Sequence, residues 1–250
     1  MDEILQVKNV SKEYGIRGFR TKVLENINLN VKKGEFIAIM GPSGAGKTTL
    51  LNLMSTLDNP SKGEILLDGI KITKTKNKDL SKIRRDKIGF IFQDYNLLDN
   101  MSLMDNIALP LALERVNSLE IEKRVLKMAS IFGIEDHLKK YPCELSGGQK
   151  QRGSAARALI KNPSVVFADE PTGALDSRAS SDLLQCLSEI NIKEKSTIIM
   201  VTHDPLTASY AKEIYMLNDG KVSCRLSSDG NRKNFYGKII DMLASVGGQV

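Results

Sequence analysis

The chain has 250 residues, 41% hydrophobic and 26% charged, a composition that can bury a sizeable core and that excludes disorder over most of the length. Its net charge is +6, and residues 71–87 alone carry eight Lys or Arg against two Asp. A charged stretch of this kind is usually a solvated loop or helix face, and a patch for nucleic acid or lipid headgroups is the alternative.

No apolar run approaches the roughly 18 to 20 residues that a membrane-spanning helix needs. The N-terminus MDEILQVKNV is acidic and lacks the apolar core of a signal peptide, so we expect a cytoplasmic protein. The cysteines, Cys143, Cys186 and Cys224, lie far apart and indicate neither a disulfide framework nor a zinc site. Of the two histidines, His137 and His203, only His203 enters the site predicted below.

The chain begins with β-rich stretches and then becomes helical. ILQVKNV, VLENINLNV, EFIAIM, EILLDG and IGFIFQ predict strands, and helical spacing starts at Met104 and continues to about Lys161, with Gly133 as a helix stop. Two apolar runs without alternation, SVVFAD and TIIMVT, predict strands buried on both faces of a parallel sheet. LNDG predicts a hairpin turn, and FYGKIIDMLASV predicts an amphipathic tail helix.

A phosphate-binding loop follows the strand FIAIM. The stretch GPSGAGKTTL fits G-x-x-x-x-G-K-[ST] between a strand and a helix-forming segment, the context that this motif requires. Backbone N–H groups, the helix N-terminus and the lysine attract phosphates, and the first threonine can ligate Mg²⁺. The predicted nucleotide-binding residues here are Gly41, Pro42, Ser43, Gly44, Ala45, Gly46, Lys47, Thr48 and Thr49.

Two carboxylates and a histidine end the predicted parallel strands. Asp169 is predicted to join Thr48 in holding Mg²⁺, and Glu170 to act as general base on the attacking water, a role worth about 10² to 10⁴ in rate. An acidic N-cap for the next helix is the structural alternative. His203, at the end of TIIMVTH, is predicted to contact the γ-phosphate or the attacking water.

A second anion-binding element, LSGGQ, stands at a predicted helix start. Ser146, Gly147 and Gly148 offer a hydroxyl, backbone N–H groups and a helix N-terminus to a phosphate, and Gln149 completes the element. Spacing leaves open whether this is a separate anion site within one chain.

In this order, the motifs from about residue 3 to 225 resemble the nucleotide-binding subunit of ABC transporters, and LSGGQ is the most specific of them. The resemblance implies an α/β P-loop ATPase with a parallel core sheet, an N-terminal antiparallel β subdomain and an inserted α-helical subdomain. It also implies a head-to-tail homodimer in which the LSGGQ loop of one copy caps the ATP held by the phosphate loop of the other.

The resemblance assigns three further residues. Tyr14 matches the aromatic residue that stacks on adenine, although its charged neighbours are also typical of an exposed strand edge. Gln93 matches the glutamine that senses Mg²⁺ and water, and Asp176 in GALD matches the carboxylate of the loop that contacts the partner subunit. Glu170, His203 and Gln93 then form the catalytic set, and Thr48, Gln93 and Asp169 the metal set.

We expect an ATPase domain over residues 1–226, with the helical subdomain at about 94–162, and a tail helix within 227–250. The Leu- and Met-rich segment after Gln93 predicts a groove for a helix of a membrane permease. The predicted contact residues are Tyr95, Leu97, Leu98 and Met101.

Within the family, the sequence resembles the lipoprotein-release and macrolide-export group and, through VTHDPLTASYAKEIYMLNDGKV and the tail, the bacitracin-resistance (Bce-type) peptide-antibiotic ATPases. That implies one large multi-span permease, a sensor histidine kinase reached through it, a location on the inner face of the cell membrane, and no direct nucleic-acid contact. The alternatives are a lipoprotein-release or other export ATPase and, less favoured, a soluble ABC ATPase acting on nucleic acid or the ribosome.

Overall fold

The computed structural model describes residues 3–16 and 19–247. Residues 1, 2, 17 and 18 of the predicted ATPase domain and residues 248–250 of the predicted tail lie outside this description. The strands are β1 Glu3–Ile16, β2 Phe19–Lys32, β3 Phe36–Met40, β4 Lys62–Leu67, β5 Ile70–Lys71, β6 Ile88–Ile91, β7 Val165–Asp169, β8 Ile198–Val201, β9 Glu213–Asn218 and β10 Lys221–Ser227.

Helices follow the strands or connect them. They are α1 Lys47–Met54, α2 Asn77–Lys87, α3 Leu103–Ala112, α4 Ser118–Phe132, α5 Gly147–Leu159, α6 Ser177–Glu194, α7 Pro205–Ala208 and α8 Arg232–Gly247. Short 3₁₀ turns cover Ile72–Lys74, Glu135–His137 and Pro142–Glu144. Gly133 ends α4 in the left-handed conformation, with φ 58°, as the sequence predicts.

The strands form two sheets. One is antiparallel, in the order β2-β1-β4-β5, and the other has the order β10-β9-β3-β8-β7-β6. In the second sheet every neighbouring pair from β9 to β6 is parallel, and only β10 runs antiparallel. The predicted parallel strands and the predicted hairpin are therefore confirmed.

The six-stranded sheet is covered on both faces because alternate residues of each strand point to opposite sides. Phe36, Ala38 and Met40 of β3 pack with the helices of the 103–190 region, whereas Ile37 and Ile39 pack with α1 and the antiparallel sheet. Burial on both faces explains why the sequence of these strands shows apolar runs without alternation.

The basic segment is helical from residue 77 onward, with Leu80 and Ile83 of α2 buried and most of its charges on the outside. Three of its cations pair with acids: Lys71 with Glu64, Lys87 with Asp68 and Arg85 with Asp86. These contacts favour the solvated-face interpretation. Within 3–16 and 19–247, none of the helices has both the length and the apolar character that a membrane crossing requires.

The tail helix α8 packs into the main core. Phe235 and Ile239, four residues apart on one helical face, are both 0% exposed and join the cluster that contains Leu184 and Ala208. Tyr236, the next residue along the helix, points away from this face and is 37% exposed. This helix is therefore part of the folded unit.

Phe235→Ala should lower the free energy of unfolding by about 3 kcal/mol, because it leaves a cavity where a buried ring packs. Chemical denaturation of the full chain measures the change, and Tyr236→Ala on the exposed face is the control. Equal effects of the two substitutions would contradict the docking of α8.

Candidate functional site

The topology brings most of the predicted site to one sheet edge. β3, β8, β7 and β6 are parallel neighbours, so their carboxyl ends lie side by side. The loop 41–46 follows β3, His203 follows β8, Asp169 ends β7 and Gln93 follows β6. Segments more than a hundred residues apart thus meet where open α/β sheets bind ligands.

The phosphate loop is shaped by close backbone approach. A Cβ on Gly41 would lie 2.1 Å from the carbonyl oxygen of Leu217, so no side chain fits there. Gly46, the N-cap of α1, has φ 97°, a conformation that glycine adopts without strain. Lys47 is 9% exposed, and its ammonium donates to the carbonyl oxygens of Gly41 at 2.9 Å and Pro42 at 3.0 Å. Its charge is therefore fixed over the loop.

The carboxylate of Asp169 lies beside the start of α1. The Thr48 hydroxyl donates to Asp169 Oδ1 at 3.4 Å, a long and easily displaced hydrogen bond. Burial raises the pKa of Asp169 above its usual value, and the neighbouring Glu170 acts in the same direction. A cation held between these oxygens would offset both effects, because it favours the ionised carboxylate.

Glu170 and His203 form a hydrogen-bonded pair. Glu170 Oε1 is 2.9 Å from His203 Nδ1, and the ring is largely exposed whereas the carboxylate is mostly covered. Glu170 has φ 43°, uncommon for a residue with a side chain. Its backbone N–H donates to Val201 O at 3.0 Å, which holds the residue in this conformation.

Asp176 is the residue that caps the next helix. Its Oδ1 accepts from Ala179 N at 2.8 Å at the start of α6. The structural alternative for Asp169 and Glu170, an N-cap of α6, is therefore wrong.

Gln93 lies against the loop after Glu170, since a Cβ on Gly173 would be 3.2 Å from Gln93 Nε2. No hydrogen bond joins Gln93 to Thr48 or Asp169 within the described part of the chain. The donor set offered by these three side chains consists of hydroxyl, carboxylate and amide oxygens. This set suits Mg²⁺, which prefers oxygen and usually takes few protein ligands together with substrate phosphates.

Tyr14 is held as an ordered, half-exposed ring. Its hydroxyl donates to Asp58 Oδ2 at 2.7 Å, and the Lys12 ammonium lies 4.6 Å from the ring centre while donating to Asp58 Oδ1 at 2.7 Å. Burial raises the pKa of the Tyr14 hydroxyl, the Asp58 carboxylate acts in the same direction, and the Thr49 side chain of α1 opposes them. The ring is therefore next to α1, with one face taken by a cation.

The LSGGQ element begins α5 with a capping box. Gln149 Oε1 accepts from Ser146 N at 2.9 Å, and Ser146 Oγ accepts from Gln149 N at 3.3 Å. A Cβ on Gly148 would lie 2.8 Å from Ala179 Cβ, so α5 and α6 approach closely here. The cavity of about 250 Å³ beside Ser146 is shared with Asp176 and the start of α6, and no phosphate-loop residue lines it.

Sequence reasoning missed several residues that hold these elements. Asp58 and Lys12 give no local signal, because their meeting depends on how β1 and the loop after α1 pack. Arg157 donates to the carbonyl oxygens of Asn96 at 2.6 Å and Tyr95 at 3.1 Å, and burial lowers its pKa. An arginine among the alanines of α5 was the available signal. His137 also contacts the capping box, through the side chain of Gln149.

Comparison with known proteins agrees with this geometry. The family model described as ABC transporter matches residues 24–173. The bacitracin export ATP-binding protein BceA of Halalkalibacterium halodurans is 46% identical over 246 residues, 98% of this chain and 97% of that protein. The macrolide export ATP-binding/permease protein MacB of Wolinella succinogenes is 40% identical over 222 residues, 89% of this chain and 34% of that protein.

A solved structure is similar over most of the fold. The post-hydrolysis dimer of the ATP-binding cassette MJ0796, bound to ADP and Pi, has a TM-score of 0.83 and 40% identity, covering 91% of this chain and 100% of that chain. A protein of that name from Methanocaldococcus jannaschii is 42% identical over 223 residues, 88% of this chain and 95% of the relative. The predicted fold class, with its parallel core sheet, is confirmed by this neighbour.

Asp58→Asn should lower the stability of the protein above about pH 4, and the difference should shrink as pH falls below about 4 toward the lowered folded-state pKa of Asp58. Burial alone would raise the pKa of Asp58, but hydrogen bonds from Lys12 and Tyr14 hold it below its usual value. A carboxyl with a lowered folded-state pKa stabilises the fold above its unfolded-state pKa, and the effect is lost as pH falls. Denaturation midpoints of the unmodified protein and the variant between pH 3 and 7 measure this loss of stability. A difference in midpoint that does not change with pH would contradict stabilisation by the ionised Asp58.

Proposed function

The chain belongs to the ABC transporter family as an ATP-hydrolysing member, and on this premise we propose that two copies pair head to tail to power a membrane permease. The observation that carries the proposal is the separation of two anion-binding elements. The phosphate loop and acid pair occupy one sheet edge, whereas Ser146 opens on a cavity that contains no phosphate-loop residue. In a head-to-tail dimer, each chain supplies the Ser146 element that covers the nucleotide held by the phosphate loop of the other chain.

Nucleotide binding rests on three groups of one chain. The loop N–H groups, the positive end of α1 and the Lys47 ammonium bind the phosphates. The free face of the Tyr14 ring stacks on the base. Thr48, Asp169 and Gln93 would hold Mg²⁺, which when bound neutralises charge on the phosphates.

Hydrolysis is assigned to the pair at the ends of β7 and β8. Glu170 takes a proton from the attacking water, and its contact with His203 Nδ1 orients the carboxylate. The opposite ring nitrogen of the exposed His203 is then directed toward the γ-phosphate. The partner's Ser146, Gly147 and Gly148 cover that phosphate with a hydroxyl, N–H groups and a helix N-terminus, and Asp176 lies at the same interface. Loss of the γ-phosphate removes this bond between subunits and opens the dimer.

The permease is proposed to dock on the segment after Gln93. Leu98 is 43% exposed, while Tyr95, Leu97 and Met101 are partly covered. The buried Asn106 side chain bonds the backbone of Leu98, Met101 and Ser102, so the segment is rigid before any partner arrives. A rigid apolar surface of this kind suits an inserted helix.

We further propose that the transporter protects against cell-wall-directed peptide antibiotics of the bacitracin type. The similarity to a bacitracin export ATP-binding protein over 98% of the chain supports this class, tail included. One large multi-span permease, a sensor histidine kinase reached through it, and a position on the inner membrane face complete the proposal. A macrolide or lipoprotein-release system is the second candidate, favoured by the similarity to MacB.

The division into domains remains a proposal. The ATPase domain is placed at 1–226, its helical subdomain at about 94–162 around α3, α4 and α5, and the tail helix within 227–250. Direct binding to nucleic acid is not part of the proposal, because four of the eight cations in the basic segment already have partners. Lys71, Arg85 and Lys87 pair with acids, and Arg84 bonds a backbone carbonyl oxygen.

Glu170→Gln should retain ATP binding, lower turnover at least about a hundredfold and trap an ATP-bound dimer, because the amide cannot accept the proton of water. Steady-state hydrolysis, nucleotide affinity and sedimentation measure the three effects. Lys47→Ala is the matched control, expected to lose ATP affinity itself. Unchanged turnover of the glutamine variant removes Glu170 as the base.

The same Glu170→Gln variant separates the two substrate classes. In cells that depend on this protein it should increase sensitivity to bacitracin-type peptides and leave macrolide sensitivity unchanged. The reverse pattern would replace the peptide-antibiotic proposal by macrolide export.

Leu98→Glu should weaken binding to the permease at least about tenfold, since it puts a charge where about 1.5 to 3 kcal/mol of apolar burial is expected. ATPase activity of the isolated subunit should not change. Leu113→Glu is the control, because Leu113 is 68% exposed and lies at the other end of α3. Equal loss in both variants would argue against docking at Leu98.

A further inference from the structure

His137 contacts the LSGGQ element, the signature loop of residues 145–149, from outside it. The residue ends the 3₁₀ turn after α4, and its Nε2 is 2.8 Å from Nε2 of Gln149. Gln149 is the side chain that closes the capping box at the start of α5. The contact therefore joins the 3₁₀ turn after α4 to the loop that carries Ser146.

The capping box decides which atom donates in this contact. The Ser146 backbone N–H donates to Gln149 Oε1, so the amide NH₂ group is the end that faces His137. Turning the amide over would set its NH₂ group against the Ser146 N–H and lose the hydrogen bond that closes the capping box. An amide nitrogen donates and does not accept, so His137 Nε2 must offer a lone pair. The ring is then neutral, with its proton on Nδ1.

The other ring nitrogen is committed to no polar group. His137 Nδ1 is enclosed and has no hydrogen-bond partner within residues 3–16 and 19–247. Enclosing a ring nitrogen without a partner costs free energy, and packing alone would be served better by an apolar ring. Nε2, which faces Gln149, is therefore the ring nitrogen of His137 that makes a hydrogen bond.

We propose that His137 is a positioning residue for the signature loop: its Nε2 holds the Gln149 amide, which in turn fixes the backbone of Ser146. Among the residues that the structure describes, the Ser146 hydroxyl is held only by a 3.3 Å contact from Gln149 N, which leaves it free to turn to a phosphate of a second copy. The backbone of Ser146 is therefore anchored by Gln149, whereas its hydroxyl, the group proposed to reach the phosphate, is not. This inference rests on the proposed head-to-tail function.

Nitrogen NMR of the imidazole rings tests the hydrogen-bond direction in the unmodified chain. The chain has two histidines, so the spectrum of a His203→Ala variant assigns the signals. At neutral pH His137 should be in the tautomer with the proton on Nδ1 and a bare Nε2. A proton on Nε2, in either the neutral or the charged ring, overturns the inference.

Variants test the effect on the reaction. His137→Phe keeps a flat ring but removes the acceptor, and should lower kcat about fivefold to tenfold, the factor expected for one hydrogen bond. ATP affinity of the monomer should not change, because the phosphate loop is elsewhere. His137→Gln places a carbonyl oxygen within reach of the Gln149 amide and should restore most of kcat.

A double-mutant cycle distinguishes positioning from general support of the fold. In a Gln149→Leu background, His137→Phe should cause no further loss, because its only route to the reaction has gone. Additive losses, or a glutamine variant as slow as the phenylalanine variant, overturn the inference. If the unmodified protein neither dimerises with ATP nor hydrolyses it, the proposed function fails instead, so the two failures are distinguishable.

Discussion

The parallel pairing of β3, β8, β7 and β6 is the constraint on which the site depends. It sets the carboxyl ends of four strands side by side, so that the phosphate loop, His203, the acid pair and Gln93 meet although the chain separates them widely. Parallel strands require long crossovers, and the crossovers here are the helices that cover both faces of the sheet. The same architecture thus buries the core and collects the polar groups at its edge.

Several functional positions are held in uncommon backbone conformations by specific partners. Glu170 has φ 43° and is tied to Val201, while Tyr95 and Asn96 have φ 61° and 49° and are tied to the guanidinium of Arg157. Such conformations cost free energy and persist where the surroundings fix them. The proposed base and the segment proposed to meet the permease are therefore among the places where the fold carries backbone strain.

Helix α5, which begins with the LSGGQ element, stands apart from the sheet edge that carries the phosphate loop and has its own supports. Close packing of Gly148 on Ala179 sets α5 against α6, and Tyr95 approaches Gly147, so the segment after Gln93 touches the loop that carries Ser146. Tyr95 thus lies against the residue that follows Ser146. With His137 on the other side, the loop is held both from the segment after Gln93 and from the 3₁₀ turn that follows α4.

The sequence by itself determined the motifs, the buried strands, the hairpin, the stop of α4 at Gly133 and the tail helix, because each depends on neighbours along the chain: glycine conformations, caps and apolar periodicity. It also predicted which residues bind phosphate. Tertiary structure alone decided that Asp58 bonds both Tyr14 and Lys12, that Arg157 supports Asn96, that Phe235 docks in the core and that His137 reaches Gln149. These contacts join residues whose distance in space is set by packing of whole elements, and no local pattern encodes that distance.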